Sequence, residues 1–166
     1  QPRKNIPFLL DLFEKLTDFE GQLVIAGSKG WKCDAILHRI GSSSRAGDIV
    51  HVDHATDDEL LALYSRASAL VFPSFYEGFG FPPLEAMACE CPVVSSTGGS
   101  LPEVVDDAGV LVEGFDLDEW LCAIRKVIED GDLVASLRRK GAERSKHFTW
   151  KRAALATLDV YGKVSS

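Results

Sequence analysis

The chain has 166 residues, a formal net charge of −7 and a pI near 5.1. That length fits one domain with a substantial core, and 46% apolar with 26% charged residues is ordinary for a globular protein. The acidic balance argues against a broad electrostatic grip on nucleic acid or an anionic membrane surface, and no apolar run approaches the ~18 residues of a membrane span.

In chain order, "NIPFLLDLFEKLTDF" comes first. Ile6, Leu9, Leu10, Phe13 and Leu16 recur at helical spacing and predict a helix with one buried face. "QLVIAGSKG" follows, with Leu23 to Ala26 as a short buried strand ended by Gly27. "WKCDAILHRIG" predicts a second helix stopped by Gly41. "DIVHVDHA" holds a strand. Thr56 with Glu59 three residues on forms a capping box for the next helix, whose first turn carries Asp57 and Asp58 and whose apolar face is Leu60, Leu61 and Tyr64. "SALVFPSF" is a third strand, "PPLEAMACE" a short helix with proline near its start, and "CPVVSS" a fourth strand. "LPEVVDD" supports one or two helical turns and "GVLVEG" a fifth strand. The remainder is helical: "DLDEWLCAIRKVIEDG", then "DLVASLRRKGAERSKHF" with a weak point at Gly141, then "TWKRAALATLDVYGK" capped by Thr149.

Short buried runs alternating with helices predict an α/β fold: one Rossmann-like parallel sheet with helices on both faces, plus a helical C-terminal tail. Such sheets bind ligands beyond the carboxyl ends of their strands. Three loops end there: Gly27 to Gly30, Phe75 to Phe81 and Thr97 to Ser100. The four cysteines, Cys33, Cys89, Cys91 and Cys122, form no Cys-x-x-Cys pair and read as free core thiols of a reducing compartment. His38, His54 and His147 read as surface or packing residues. The adjacent aspartates of "VVDDAG" and "ATDDE" read as a turn and a helix start, so no metal site is expected.

The middle loop, "YEGFGFPPLEAMACE", carries the most chemistry. Gly78 and Gly80 let the backbone turn where a side chain would clash. The loop enters a helix N-terminus, where free amides and the dipole favour an anion. Pro82 and Pro83 have no N–H, so amides aimed at a phosphate come from Gly78, Phe79, Gly80 and Phe81. Glu85, expected in the first turn or so, accepts hydrogen bonds and suits a hydroxyl-rich group such as a ribose. Glu77 faces the same pocket from another side.

The stretch "YEGFGFPPLEAMACECPVVSSTGGSLPEVV" closely resembles the signature of retaining glycosyltransferases of family 4, whose motif is Glu, seven residues, Glu; Glu77 and Glu85 match it. "QPRKNIPFLLDLFEKL", "LVIAGSKGW", "DDELLALYSRASALVFPS" and "FTWKRAALATLDVY" are similar to other blocks of that family's donor domain, in the same order. The resemblance implies that residues 1–166 are the nucleotide-sugar-binding, C-terminal Rossmann-like half of a two-domain GT-B fold, with the domain's first strand and an N-terminal acceptor domain missing. It implies that Glu77 contacts the transferred sugar, the amides of Gly78 to Phe81 meet sugar and diphosphate, Glu85 holds the ribose, and Lys4 serves the diphosphate. Glu77 and Lys4 are thus the candidate catalytic residues. His51 and Val52 are expected near the base, and Gly27 is expected among the donor-binding residues. Arg3 is not assigned a phosphate role.

The implied reaction is metal-independent transfer of a hexose from a GDP- or UDP-linked donor, with no cofactor, to a sugar, lipid-linked glycan or other hydroxyl acceptor, with retention by front-face attack. The expected location is cytoplasmic, with contact at the inner membrane face through the missing domain. A GT-B-like nucleotide-sugar epimerase, a phosphorylase and a non-catalytic nucleotide-sugar-binding subunit are the alternatives. The fragment alone is expected not to turn over.

Overall fold

The computed structural model describes residues 1–28 and 33–164. Gly30, the expected end of the first loop, and Trp31, the expected start of the second helix, lie outside the described residues.

A 3-10 turn, Pro2–Lys4, leads through Asn5 into α1, Ile6–Lys15. Then come β1, Leu23–Ala26; α2, Asp34–Ser42; β2, Ile49–Val52; α3, Asp57–Arg66; β3, Leu70–Phe72; and α4, Phe81–Ala88. The chain continues through β4, Val93–Ser96; α5, Leu101–Val105; β5, Val110–Val112; α6, Leu117–Glu129; α7, Gly131–Ser145; and α8, Trp150–Val164. The Thr56–Glu59 capping box is present, and the Thr149 hydroxyl accepts from the Arg152 amide at 3.2 Å. Two helices differ from expectation. α2 runs past Gly41 to Ser42. α7 continues unbroken through Gly141, which is buried and sits where a Cβ would meet Met87 at 3.2 Å, so the missing side chain lets α7 approach α4.

All strand pairing is parallel, as expected, but it forms two ladders rather than one sheet: β1–β2, and β3–β4–β5. One edge of β1 and one edge of β3 therefore have no ladder partner among the described residues. α1 joins the two ladders through two apolar stripes. Leu10 and Phe13 pack with Ile49, Leu23 and Ile25 of the first ladder. Leu12 and Leu16 pack with Val94, Val112 and Trp120 of the second. Helices cover both faces of that second ladder, and β4 shows why. Its side chains alternate: Val93 joins Ala86, Met87 and Val104 from α4 and α5, while Val94 joins Trp120 and Ile124 from α6.

β1 is not buried on both faces. Its residues alternate between half-buried and exposed, with Val24 at 38% exposure. The thiols also differ from expectation: Cys91 is buried, Cys33 and Cys89 are partly covered, and Cys122 is exposed. α8 has no buried residue, in line with a helical tail.

Arg45 ties the end of α1 to the following loops. Its guanidinium donates to the carbonyls of Phe13, Leu16, Phe19 and Gly21 and pairs with Asp48. A cation there meets the negative end of the helix dipole.

Candidate functional site

The site is built on the chain reversal between the 3-10 turn and α1. Asn5 adopts a left-handed conformation, φ 52° and ψ 41°, which asparagine tolerates better than most residues. It redirects the chain so that the turn lies against the segment after β3. The Phe75 amide donates to the Arg3 carbonyl at 2.8 Å. Lys4 then reaches Glu77, with Nζ 2.7 Å from Oε1 and 4.6 Å from the centre of the Phe72 ring. Arg3 donates to the other carboxylate oxygen, Oε2, and to the Tyr76 carbonyl. Two sequence-predicted residues, Lys4 and Glu77, are therefore brought together across 73 positions of chain.

Glu77 is buried. Burial acts to raise its carboxyl pKa, but hydrogen bonds from Lys4 and Arg3, the Ser74 hydroxyl and the Lys4 charge outweigh it and hold the group below its ordinary value. Glu77 is thus a firmly ionised acceptor. Ser74 is fully buried, and its hydroxyl has no partner of standard hydrogen-bond geometry among the described residues, although it favours the charged form of Glu77.

Of the two glycines expected to be required in this turn, only Gly80 is: a Cβ on Gly78 would meet open space, whereas one on Gly80 would meet Leu101 at 3.0 Å. Gly80 has φ 103° and precedes α4, whose first turn carries Pro82 and Pro83. The Leu84 amide returns to the Gly80 carbonyl at 3.3 Å. Among the described residues, the amides of Gly78, Phe79, Gly80 and Phe81 donate to no protein acceptor. Four donors thus stand at the positive end of α4, beside the Glu77–Lys4 pair.

The Thr97–Ser100 loop buttresses this turn from behind. The Glu77 amide donates to the Gly98 carbonyl, and the Ser100 amide and hydroxyl both return to the Glu77 carbonyl at 3.1 Å. The Ser100 hydroxyl also reaches the Phe79 carbonyl at 2.6 Å. Both glycines are required by close approach: a Cβ on Gly98 would meet the Phe75 carbonyl oxygen at 2.3 Å, and one on Gly99 the Glu77 carbonyl oxygen at 2.3 Å.

Glu85 is exposed and lies in the second turn of α4, not its first, because the helix begins at Phe81. The Tyr64 hydroxyl of α3 donates to its Oε2 at 3.4 Å. Burial raises the Tyr64 pKa, and the Glu85 charge adds to the rise, so the phenol keeps its proton. No hydrogen bond or ion pair among the described residues joins Glu85 to Glu77.

Gly27, His51 and Val52 form a second group at the carboxyl ends of β1 and β2. The Gly27 amide donates to the Val52 carbonyl at 3.0 Å, and His51 Nε2 lies 2.9 Å from the Gly27 carbonyl oxygen. Among the described residues, no group of three or more His, Cys, Asp or Glu side chains is arranged to hold a metal ion, and no helix is long and apolar enough to cross a membrane. The residues missed by sequence reasoning are Arg3 and Ser74, whose only signals are adjacency to Lys4 and a polar side chain just past an apolar strand; Ser100 lies in a loop the sequence placed at the strand ends, but its bonds to the Glu77 segment were not foreseen.

The profile of the family described as "Glycosyl transferases group 1" matches residues 1–144. The chain belongs to this family of glycosyl transferases. The O-antigen chain mannosyltransferase B of Escherichia coli is 37% identical over 164 residues, which is 97% of this chain and 43% of that protein. A D-inositol 3-phosphate glycosyltransferase of Streptomyces bingchenggensis is 35% identical, over 98% of this chain and 38% of its own length. Among solved structures, sucrose-phosphate synthase from Thermosynechococcus elongatus superposes with a TM-score of 0.83 at 29% identity, covering 99% of this chain and 43% of that one. The group 1 domain thus spans about two-fifths of the length of these relatives. Its parallel ladders flanked by helices match the C-terminal Rossmann-like half of GT-B glycosyltransferases.

Proposed function

We propose that this domain binds a nucleotide diphosphate sugar for a retaining, metal-independent glycosyltransferase that moves a hexose to a hydroxyl acceptor. The observation that carries the reading is the Glu77–Lys4 ion pair set beside four amides at the start of α4 that meet no acceptor among the described residues. Two relatives described as mannosyltransferases support a hexose donor. Acceptor binding and turnover then fall to the remainder of a protein of relatives' length. The acceptor is a sugar or a lipid-linked glycan in this reading, and the donor is GDP- or UDP-linked.

In this reading the bond between the sugar's anomeric carbon and the diphosphate oxygen breaks, and its electron pair leaves with the diphosphate. The acceptor oxygen attacks from the same face, and its proton passes to the departing phosphate. Charge on the diphosphate grows as the bond lengthens. The residue 78–81 amides and the α4 dipole are already oriented to meet it. Lys4 has three N–H donors, so it can serve an oxygen of the diphosphate while keeping one bond to Glu77. Glu77, held ionised, accepts from sugar hydroxyls and is not a nucleophile. Glu85 accepts from the ribose.

Thermal unfolding with saturating GDP- and UDP-hexoses tests this. At least one conjugate is expected to raise the melting temperature, and none doing so would overturn the reading. By calorimetry, Glu85→Ala should weaken the bare nucleotide and Glu77→Ala the hexose conjugate selectively, each by about 1–3 kcal/mol.

A further inference from the structure

Arg3 has no role in the sequence beyond a solvated charge beside Lys4, yet it holds three consecutive residues of the site. Its carbonyl accepts from the Phe75 amide, and its Nη1 donates to the Tyr76 carbonyl and to Glu77 Oε2. Lys4 takes the opposite oxygen, Oε1, at 2.7 Å. Two cations therefore divide one carboxylate, oxygen by oxygen. The Glu77 side chain is only 6% exposed, so it depends on these partners for the solvation that water would otherwise give.

The division matters once a donor binds. A diphosphate competes for the Lys4 ammonium and weakens its hold on Oε1. Arg3 is tied to the 75–77 backbone at two points, so it stays with Oε2. We propose that Arg3 is a positioning residue for the donor sugar: it keeps the Glu77 carboxylate aimed at the sugar while Lys4 serves the diphosphate. This rests on the donor-binding reading above.

Arg3→Gln and Arg3→Lys are to be compared with the parent protein in two ways. The first is ligand-free: an NMR titration of the carboxyl carbons, with the Glu77 signal assigned from Glu77→Gln. Arg3→Gln should move the Glu77 midpoint upward, and Arg3→Lys should restore part of the shift. The second is calorimetric affinity for GDP, UDP and their hexose conjugates. Arg3→Gln should weaken the conjugate about tenfold and the bare diphosphate less than about twofold, with partial recovery in Arg3→Lys. An unmoved Glu77 midpoint overturns the proposal. So does equal weakening of diphosphate and conjugate, which would make Arg3 a phosphate contact. A parent protein that binds no conjugate, while its Glu77 midpoint still responds to Arg3→Gln, overturns the donor reading and leaves the Arg3–Glu77 contact intact.

Discussion

Glu77 is the one buried charged side chain among the described residues, and its ionisation is the site's most testable property. Its folded pKa lies below the ordinary glutamate value of 4.5. The stabilisation from its ion pairs is therefore fully present above that value and is lost as the pH falls through the lowered folded pKa. Parent and Glu77→Gln proteins should differ in melting temperature at pH 7, and the difference should shrink on acidification below about 4.5. A difference that persists unchanged at pH 2 would exclude this account. Using the Gln variant as the reference removes the contribution of the exposed carboxylates Asp18, Asp107 and Glu143, whose pKa values are also lowered by cationic partners.

At the scale of elements, a binding turn is only as well placed as the segments behind it. Gly99 has φ 69° and no room for a Cβ against the Glu77 carbonyl. Gly99→Ala should therefore cost about 1–3 kcal/mol in denaturant unfolding, and it should weaken the hexose conjugate because the Glu77 segment must shift. Arg45 plays the corresponding part for α1. Its side chain is 14% exposed and satisfies four carbonyls at once. Arg45→Met removes the guanidinium from over the Phe13 ring and leaves those carbonyls without their donor, and a loss of about 2–3 kcal/mol is expected in the same measurement. α4 combines both requirements. Its prolines cannot donate, so its positive end presents only the amides of the glycine turn.

At the scale of the whole molecule, the two ladders depend on one shared helix and one dense core. Trp120 is fully buried, donates Nε1–H to the Gly114 carbonyl at 3.0 Å and meets Phe8 edge-on. Trp120→Ala should cost about 3–5 kcal/mol. Leu61, on the expected apolar face of α3, is 55% exposed, and Leu61→Ala should stay within about 0.5 kcal/mol in the same denaturant experiment. Similar losses at the two sites would contradict the packing described.

What the sequence determined by itself was local or carried by an unusual string of residues. Helix starts such as Thr56–Glu59, the short apolar strands and the "EGFGFPPLE" turn all depend on neighbours within about one or two turns of chain, so spacing reveals them. The parallel α/β class was legible for the same reason, whereas Lys4 and Glu77 were nominated together only through the resemblance to the family's motif. The tertiary structure alone decided which distant groups share a partner. Nothing in "PRKN" says that Arg3 and Lys4 divide one carboxylate, because that pairing depends on the left-handed Asn5 and on the segment after β3 lying alongside. Nor does apolar periodicity show that α1 serves two ladders, that Val24 stays exposed or that Glu85 falls in the second turn of α4. Those outcomes depend on which face finds a neighbour and where a helix begins, and each is settled by packing between residues far apart in the chain.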